Sequence, residues 1–206
     1  MELVLATANP DKAREVRTLL EGELGRYVVL VDRPGDVADV EESGSTLEEN
    51  ARLKAQAICD ATGLAAVADD TGLEVEALGG APGVLSARFA GPDATYDDNV
   101  SKLLLELERV GARSPHERRA RFRTVALARF PDGFELRAEG EVQGAIALER
   151  RGSNGFGYDV VFVPSEGDGR SFGEMAPADK NAMSHRGRAF RELARLLQRH
   201  IGQLPS

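Results

Sequence analysis

Apolar positions recur along this chain in two different periods, and the switches between them mark its elements. Residues 2–7 form an apolar run that predicts a strand. Asn9 then suits a helix N-cap and Pro10 the first helical position, and Val16, Leu19 and Leu20 fall on one helical face. A second short strand is expected over 27–31, and the acidic, irregular stretch 33–44 reads as a loop. Thr46-Leu47-Glu48-Glu49 has the capping-box pattern, so a helix is predicted over 47–61. Its buried stripe is Leu47, Ala51, Ala55 and Ile58, and Gly63 ends it. Residues 64–68 make a short buried strand, and Asp69-Asp70-Thr71-Gly72 is expected to turn away from it.

Further along, 79–83 is a glycine-rich loop, and 94–110 reads as a helix with Val100, Leu103, Leu104 and Leu107 inward. Strands over 121–130 and 134–142 flank Pro131-Asp132-Gly133 as a hairpin. A second glycine-rich loop, 152–157, precedes a strand over 159–163, and the last helix is expected over 186–200. Strands and helices alternate early while the middle is antiparallel. The expected fold is therefore α/β with a mixed sheet.

Charge and composition narrow the choice of partners. The formal net charge is -8, which argues against a broad nucleic-acid-binding face but allows a local basic pocket for a small anion. The chain has no Trp, and only 5% of its residues are aromatic, so base-stacking platforms are scarce. Cys59 is the only cysteine, which removes any intramolecular disulfide and fits a cytoplasmic location. The N-terminus lacks the basic region of a signal peptide. No segment approaches the roughly 18 consecutive apolar residues of a membrane span, so no membrane partner is expected.

The sharpest chemical signal is Asp69-Asp70, two carboxylates at the end of an apolar run. Buried carboxylates must be paired, hydrated or bound to a cation. Adjacent residues on an extended strand end point to opposite sides, so the two acids are expected to differ in role. A structural Asx-turn accounts for the same residues. Thr7-Ala8-Asn9-Pro10-Asp11-Lys12 is a strand end running into a capped helix, where free N–H groups, the helix dipole and Lys12 favour an anion. A plain strand–helix turn with a solvated lysine is the alternative.

Other polar groups admit two readings as well. Glu41 and Glu42 are either solvated loop acids or, with Asp70, oxygen ligands of the kind Mg²⁺ takes. Asn50 and Lys54 are four apart and share a helix face, as a surface pair or as a phosphate contact. Gly155-Phe156-Gly157-Tyr158-Asp159 presents two rings and an acid, suited either to a base or to a β-bulge in the core. His185 and Arg186 begin the last helix, the end at which cations are disfavoured, which suggests an anionic or carbonyl-rich ligand nearby. No Walker A loop or dinucleotide fingerprint is present.

Taken in order, these segments resemble the inosine triphosphate pyrophosphatase family, in particular its bacterial branch. The likeness spans nearly the whole chain. It rests on Thr7-x-Asn9-x-x-Lys12, Glu49-Asn50-Ala51-x-x-Lys54-Ala55, Asp69-Asp70-x-Gly72-Leu73, Gly79-Gly80-Ala81-Pro82-Gly83, Ser86-Ala87-Arg88, Gly155-Phe156-Gly157-Tyr158-Asp159 and Ser184-His185-Arg186. It departs from the family pattern at Ala8, where glycine is usual, at Thr71 for serine, at Val160 for proline, and in the loose segment Phe172-Gly173-Glu174-Met175.

The resemblance implies one domain over 1–206 with a long mixed sheet, flanking helices and two lobes with a substrate cleft between them. It implies hydrolysis of ITP, dITP or XTP between the α and β phosphates, with Mg²⁺, in a homodimer. Asp70 matches the catalytic base, and Glu41 with Asp70 the metal site. Thr7, Ala8, Asn9, Pro10, Asp11, Lys12, Thr71, Phe156, Gly157, Tyr158, Asp159, Lys180, His185 and Arg186 match substrate positions, and Asn50 and Lys54 join them as the phosphate contacts suggested above. The alternatives are a pyrophosphatase of the same fold acting on pyrimidine or modified nucleotides, and a nucleotide-binding sensor without turnover.

Overall fold

Leu3, Val4 and Leu5 occupy the centre of strand β1 (Glu2–Leu5) and are excluded from solvent. A strand buried on both faces fits the parallel neighbours it has, β2 (Val29–Val31) and β3 (Ala65–Val75). The computed structural model describes residues 1–25 and 27–203. The remaining strands are β4 (Pro82–Gly83), β5 (Arg119–Arg129), β6 (Glu135–Ile146) and β7 (Phe162–Pro164). The sheet runs in the order β2-β1-β3-β5-β6-β7, with β4 on β3. The β3–β4 and β6–β7 pairs are antiparallel, so the sheet is mixed, as expected. Among the described residues five α-helices accompany it: α1 (Pro10–Leu24), α2 (Leu47–Thr62), α3 (Tyr96–Arg109), α4 (Pro177–Met183) and α5 (His185–Ile201). Among the described residues no helix is long and apolar enough to cross a membrane.

The chain divides into two compact units. The first comprises Met1–Asp70, Thr124–Gly140 and the segment from Arg186 on. Its core joins Leu3, Leu5 and Val67 of the sheet to Val16 and Leu20 of α1 and Phe190, Leu193 and Leu197 of α5. The second comprises Thr71–Arg123 and Glu141–His185. Its core gathers Leu103 and Leu107 of α3 with Phe122, Val142, Phe162 and Phe172.

Local signals in the sequence account for most helix boundaries. Asn9 caps α1, its side chain accepting from the backbone N–H groups of Asp11 and Lys12. Thr46 and Glu49 form the expected capping box of α2, and Gly63 closes that helix in the left-handed conformation (φ 67°). Helix α3 starts at Tyr96 rather than 94, because Thr95 and Asp98 make a second capping box there.

Two expectations need correction. Asp69-Asp70-Thr71-Gly72 is not a turn: β3 continues through it to Val75. The apolar alternation resumes at Leu73 and Val75, Leu73 pairs with Gly83 of β4, and cations offset the acids at the strand's centre. Asp159 is not in a strand either. It lies in a 3₁₀ turn (Gly157–Val160), where its carboxylate folds back to accept the Phe156 N–H at 2.9 Å, and β7 begins only at Phe162.

Candidate active site

The strand character of β3 decides how its two acids are used. Successive side chains on a strand point to opposite faces, and Asp69 and Asp70 meet different partners. Both are nearly excluded from solvent. Asp70 faces α2, where Asn50 and Lys54 lie one turn apart. Asn50 Nδ2 donates to Asp70 Oδ2 at 3.2 Å, while Asn50 Oδ1 accepts the Gly44 N–H at 2.8 Å. The amide therefore ties the 41–44 loop to the carboxylate. Lys54 Nζ lies 3.1 Å from Asp70 Oδ1 and 2.7 Å from Glu42 Oε1, one ammonium between two carboxylates.

The electrostatics follow from that geometry. Burial pushes the Asp70 carboxyl above its usual range, against the pull of Lys54 and Lys12. Burial also opposes charge on Lys54, but Asp70, Glu42 and Asp69 together outweigh it and raise its pKa. Asp70 is therefore a stronger base than an ordinary aspartate, and Lys54 stays cationic beside it.

Asp69 turns to α1 and α5. Its Oδ2 lies 3.5 Å from Lys12 Nζ and accepts from Nε and Nη2 of Arg186, both at 3.4 Å. Arg186 also donates through Nη1 to Glu15 Oε2 at 2.6 Å. Burial depresses the Lys12 pKa, which Asp69 partly counters. Arg186, at the start of α5, thus has protein carboxylates as counter-charges. Its charge at the unfavourable helix end is offset within the protein.

Thr7 and Asn9 organise the loop into α1. Thr7 Oγ1 accepts the Asn9 N–H at 3.2 Å, and Asn9 Oδ1 takes the N–H groups of Asp11 and Lys12 at 3.0 and 3.2 Å. Asp11 also holds Arg14 on the surface, and Ala8 and Pro10 are exposed. No residue other than glycine has a positive φ among the described residues, so the backbone at Ala8 needs no glycine. Glu41 is exposed and makes no ion pair among the described residues; its neighbour Glu42 is the acid that reaches Lys54.

In the second unit Lys180 and Asp159 form a buried pair, 2.6 Å apart with side chains 4% exposed on each side. Lys180 Nζ also sits 5.1 Å from the centre of the half-buried Phe156 ring, which has the Tyr96 ring 5.7 Å away. Gly155 is held at φ 72°, and a Cβ there would collide with the Asp159 carboxylate. Tyr158 is buried, with its hydroxyl donating to Ser86 O at 2.9 Å, and burial raises its pKa well above the usual phenol value. His185 is buried as well, stacked on Phe122 with ring centres 4.3 Å apart. Thr71 is half-buried on β3, and Gly157 opens the 3₁₀ turn.

The first unit thus brings together Lys12, Asn50, Lys54, Asp70 and Arg186, and the second Phe156, Gly157, Tyr158, Asp159 and Lys180. One contributor, Glu15, escapes a reading of the sequence, and Glu42 is read there only as one of a pair with Glu41. Glu15 had a legible signal, since it lies three residues after Lys12 on the same helix face. Glu42 had none that separated it from Glu41.

Residues 3–196 match the model of the Ham1 family. The chain belongs to the Ham1 family. It is 44% identical over 201 residues to the dITP/XTP pyrophosphatase of Streptomyces avermitilis, covering 97% of this chain and 98% of that one. It is 48% identical over 192 residues to the Porphyromonas gingivalis protein of the same name, covering 93% and 95%. It spans only 58% of the length of a Streptococcus agalactiae relative with that name, at 46% identity over 191 residues. The Ham1 fold is equally clear among solved structures: a HAM1 protein from Coxiella burnetii superposes with a TM-score of 0.85 at 39% identity, covering 97% of this chain and 99% of that one.

Proposed function

We propose that this chain hydrolyses noncanonical purine nucleoside triphosphates (ITP, dITP and XTP) between the α and β phosphates. The products are the nucleoside monophosphate and pyrophosphate, and the effect is to clear these nucleotides from the pool. It is a hydrolase of the phosphoanhydride bond. The observation that carries this proposal is Asp70: a buried carboxylate of raised basicity, fixed by Asn50 and Lys54, in a chain of the Ham1 family.

In this proposal Lys12, Lys54 and the start of α1 near Asn9 hold the triphosphate, with Thr7, Ala8, Pro10, Asp11 and Thr71 beside it. Phe156, Gly157, Tyr158, Asp159, Lys180, His185 and Arg186 hold the base and sugar. Mg²⁺ needs only substrate phosphates plus one or two carboxylates, which the buried Asp70 and the exposed Glu41 can supply. Asp70 and Glu41 would hold it. When bound it would neutralise phosphate charge and acidify water. Asp70 orients the attacking water and accepts its proton, a role its raised pKa favours. Lys54 and Lys12 offset the charge that gathers on the phosphate oxygens, the main requirement of phosphoryl transfer.

The protein works as a single domain, in a cytoplasmic homodimer. Light scattering on the purified protein tests the dimer. The function is tested by pyrophosphate release from ITP, dITP, XTP, GTP and ATP, with and without Mg²⁺. A kcat/KM for ITP well above those for GTP and ATP is expected, with turnover lost when the metal is removed. Equal values for ITP and GTP overturn the assignment.

A further inference from the structure

Three lysine or arginine residues are buried among the described residues: Arg118, Lys180 and Arg186. Two of them have a carboxylate 2.6 Å away, Lys180 on Asp159 and Arg186 on Glu15. Arg118, just ahead of β5, is held differently. It donates through Nε to Ala112 O at 2.8 Å and through Nη1 to Ala147 O at 2.7 Å, and no carboxylate lies at ion-pairing distance among the described residues. Its Nη2 has no acceptor among those residues either, and it is not sealed from solvent. A buried charge without a counter-charge is costly. Burial accordingly lowers the Arg118 pKa, and the charge of Glu108 opposes that shift without cancelling it.

Arg118 lines a cavity of about 580 Å³ whose wall belongs entirely to the second unit. The volume falls within the range of small-molecule sites, roughly 300–1,000 Å³. Three arginines, Arg113, Arg118 and Arg150, stand on the wall against a single acid, Glu108. In a chain of net charge -8, that is the reverse of the general balance. Arg150 is already engaged by Asp97 and Ser101 of α3, each at 2.8 Å. Arg113 is exposed and makes no ion pair among the described residues, yet its backbone is fixed. Glu117 Oε2 accepts the N–H groups of Arg113 and Ser114 at 3.0 and 2.8 Å. Beside these groups Leu105 and Leu148 present bare apolar surface, 45% and 64% exposed.

We propose that this cavity binds a small phosphate monoester, its phosphate held by Arg118 and Arg113 and its organic part lying on Leu105 and Leu148. Two guanidiniums match the charge of about -1.5 to -2 that such a phosphate carries near pH 7. Their forked N–H donors suit its oxygens, and Nη2 of Arg118 gains the acceptor that the protein does not supply. The apolar wall favours an ester over free phosphate. No residue given to the nucleotide lines this cavity, so the site stands apart from the proposed function.

The test is a titration of the intact, isotope-labelled protein with phenyl phosphate, inorganic phosphate and benzyl alcohol. It reads the Nε–Hε NMR signal of Arg118, which the bond to Ala112 protects from exchange, and it needs no turnover. Phenyl phosphate is expected to shift that signal saturably and to bind about fivefold or more tightly than inorganic phosphate, while benzyl alcohol leaves the signal in place. Arg113→Gln changes an exposed side chain, keeps the fold, and is expected to weaken phenyl phosphate about tenfold. Leu148→Ser is expected to bring the ester down to the affinity of free phosphate. Absence of a saturable shift overturns the proposal, as does a shift that Arg113→Gln leaves at full affinity. An equal response to benzyl alcohol reduces the cavity to an apolar crevice and overturns it too. Inorganic phosphate binding as tightly as the ester overturns the choice of ligand.

Discussion

The polar clusters of the two units are built on opposite principles. In the first, three cations (Lys12, Lys54 and Arg186) and four carboxylates (Glu15, Glu42, Asp69 and Asp70) interlock around two consecutive residues of β3. In the second, one ion pair, Lys180–Asp159, sits beside the Phe156 ring, and the buried His185 lies against Phe122. A dense set of charges can hold or redistribute charge during a reaction. Flat rings with a single polar pair recognise shape and one or two hydrogen-bonding edges.

That contrast can be broken at its strongest point with Asp70→Asn. Pyrophosphate release from ITP is expected to fall on the order of a thousandfold. Unfolding stability should change by less than about 1 kcal/mol, because the substitution also relieves the cost of burying a charge. Retained activity would remove Asp70 from the chemistry. Lys180→Met reverses the pattern in the second unit. It leaves Asp159 buried without its ammonium partner, and denaturant unfolding is expected to show a loss of about 3–5 kcal/mol. A loss below about 1 kcal/mol would mean that the pair serves recognition rather than folding.

The smallest effect sharpens the first cluster electrostatically. Asp70 has its pKa raised above the unfolded value, so the folded protein binds that proton more tightly. Its contribution to stability is present below the unfolded pKa and is lost as pH rises through the folded one. Lys54 works in the opposite direction by favouring the charged carboxylate. Lys54→Met should therefore move the Asp70 titration midpoint further up, measured by carboxyl carbon NMR without divalent metal. A downward move would contradict the assigned pairing.

The parts of the fold visible in advance were those specified by neighbouring residues. Asn9-Pro10, Thr46-x-x-Glu49 and Gly63 each act within a turn of where they stand, and the structure places the helix ends they signal. The turn expected at Asp69 failed because its acids are stabilised by Lys12, Lys54 and Arg186, distant in sequence, which local turn chemistry does not register. The same limitation left Glu41 and Glu42 undistinguished: two adjacent acids in a loop are equivalent until Lys54 selects one. Asp159 misled for a related reason. A residue before an apolar run resembles a strand start, but its carboxylate bonds back to Phe156.

The discontinuity of the first unit has a consequence for biosynthesis. Its core is complete only when Phe190, Leu193 and Leu197 of α5 have been made. Until then Leu3, Val16 and Leu20, synthesised before α5, lack part of their apolar cover on the ribosome. The second unit's residues end at His185, the first of α5, and so emerge before the rest of that helix. A translational pause just after His185 would therefore hold a nascent chain with an unfinished, chaperone-accessible first core and a second unit whose sequence is already whole.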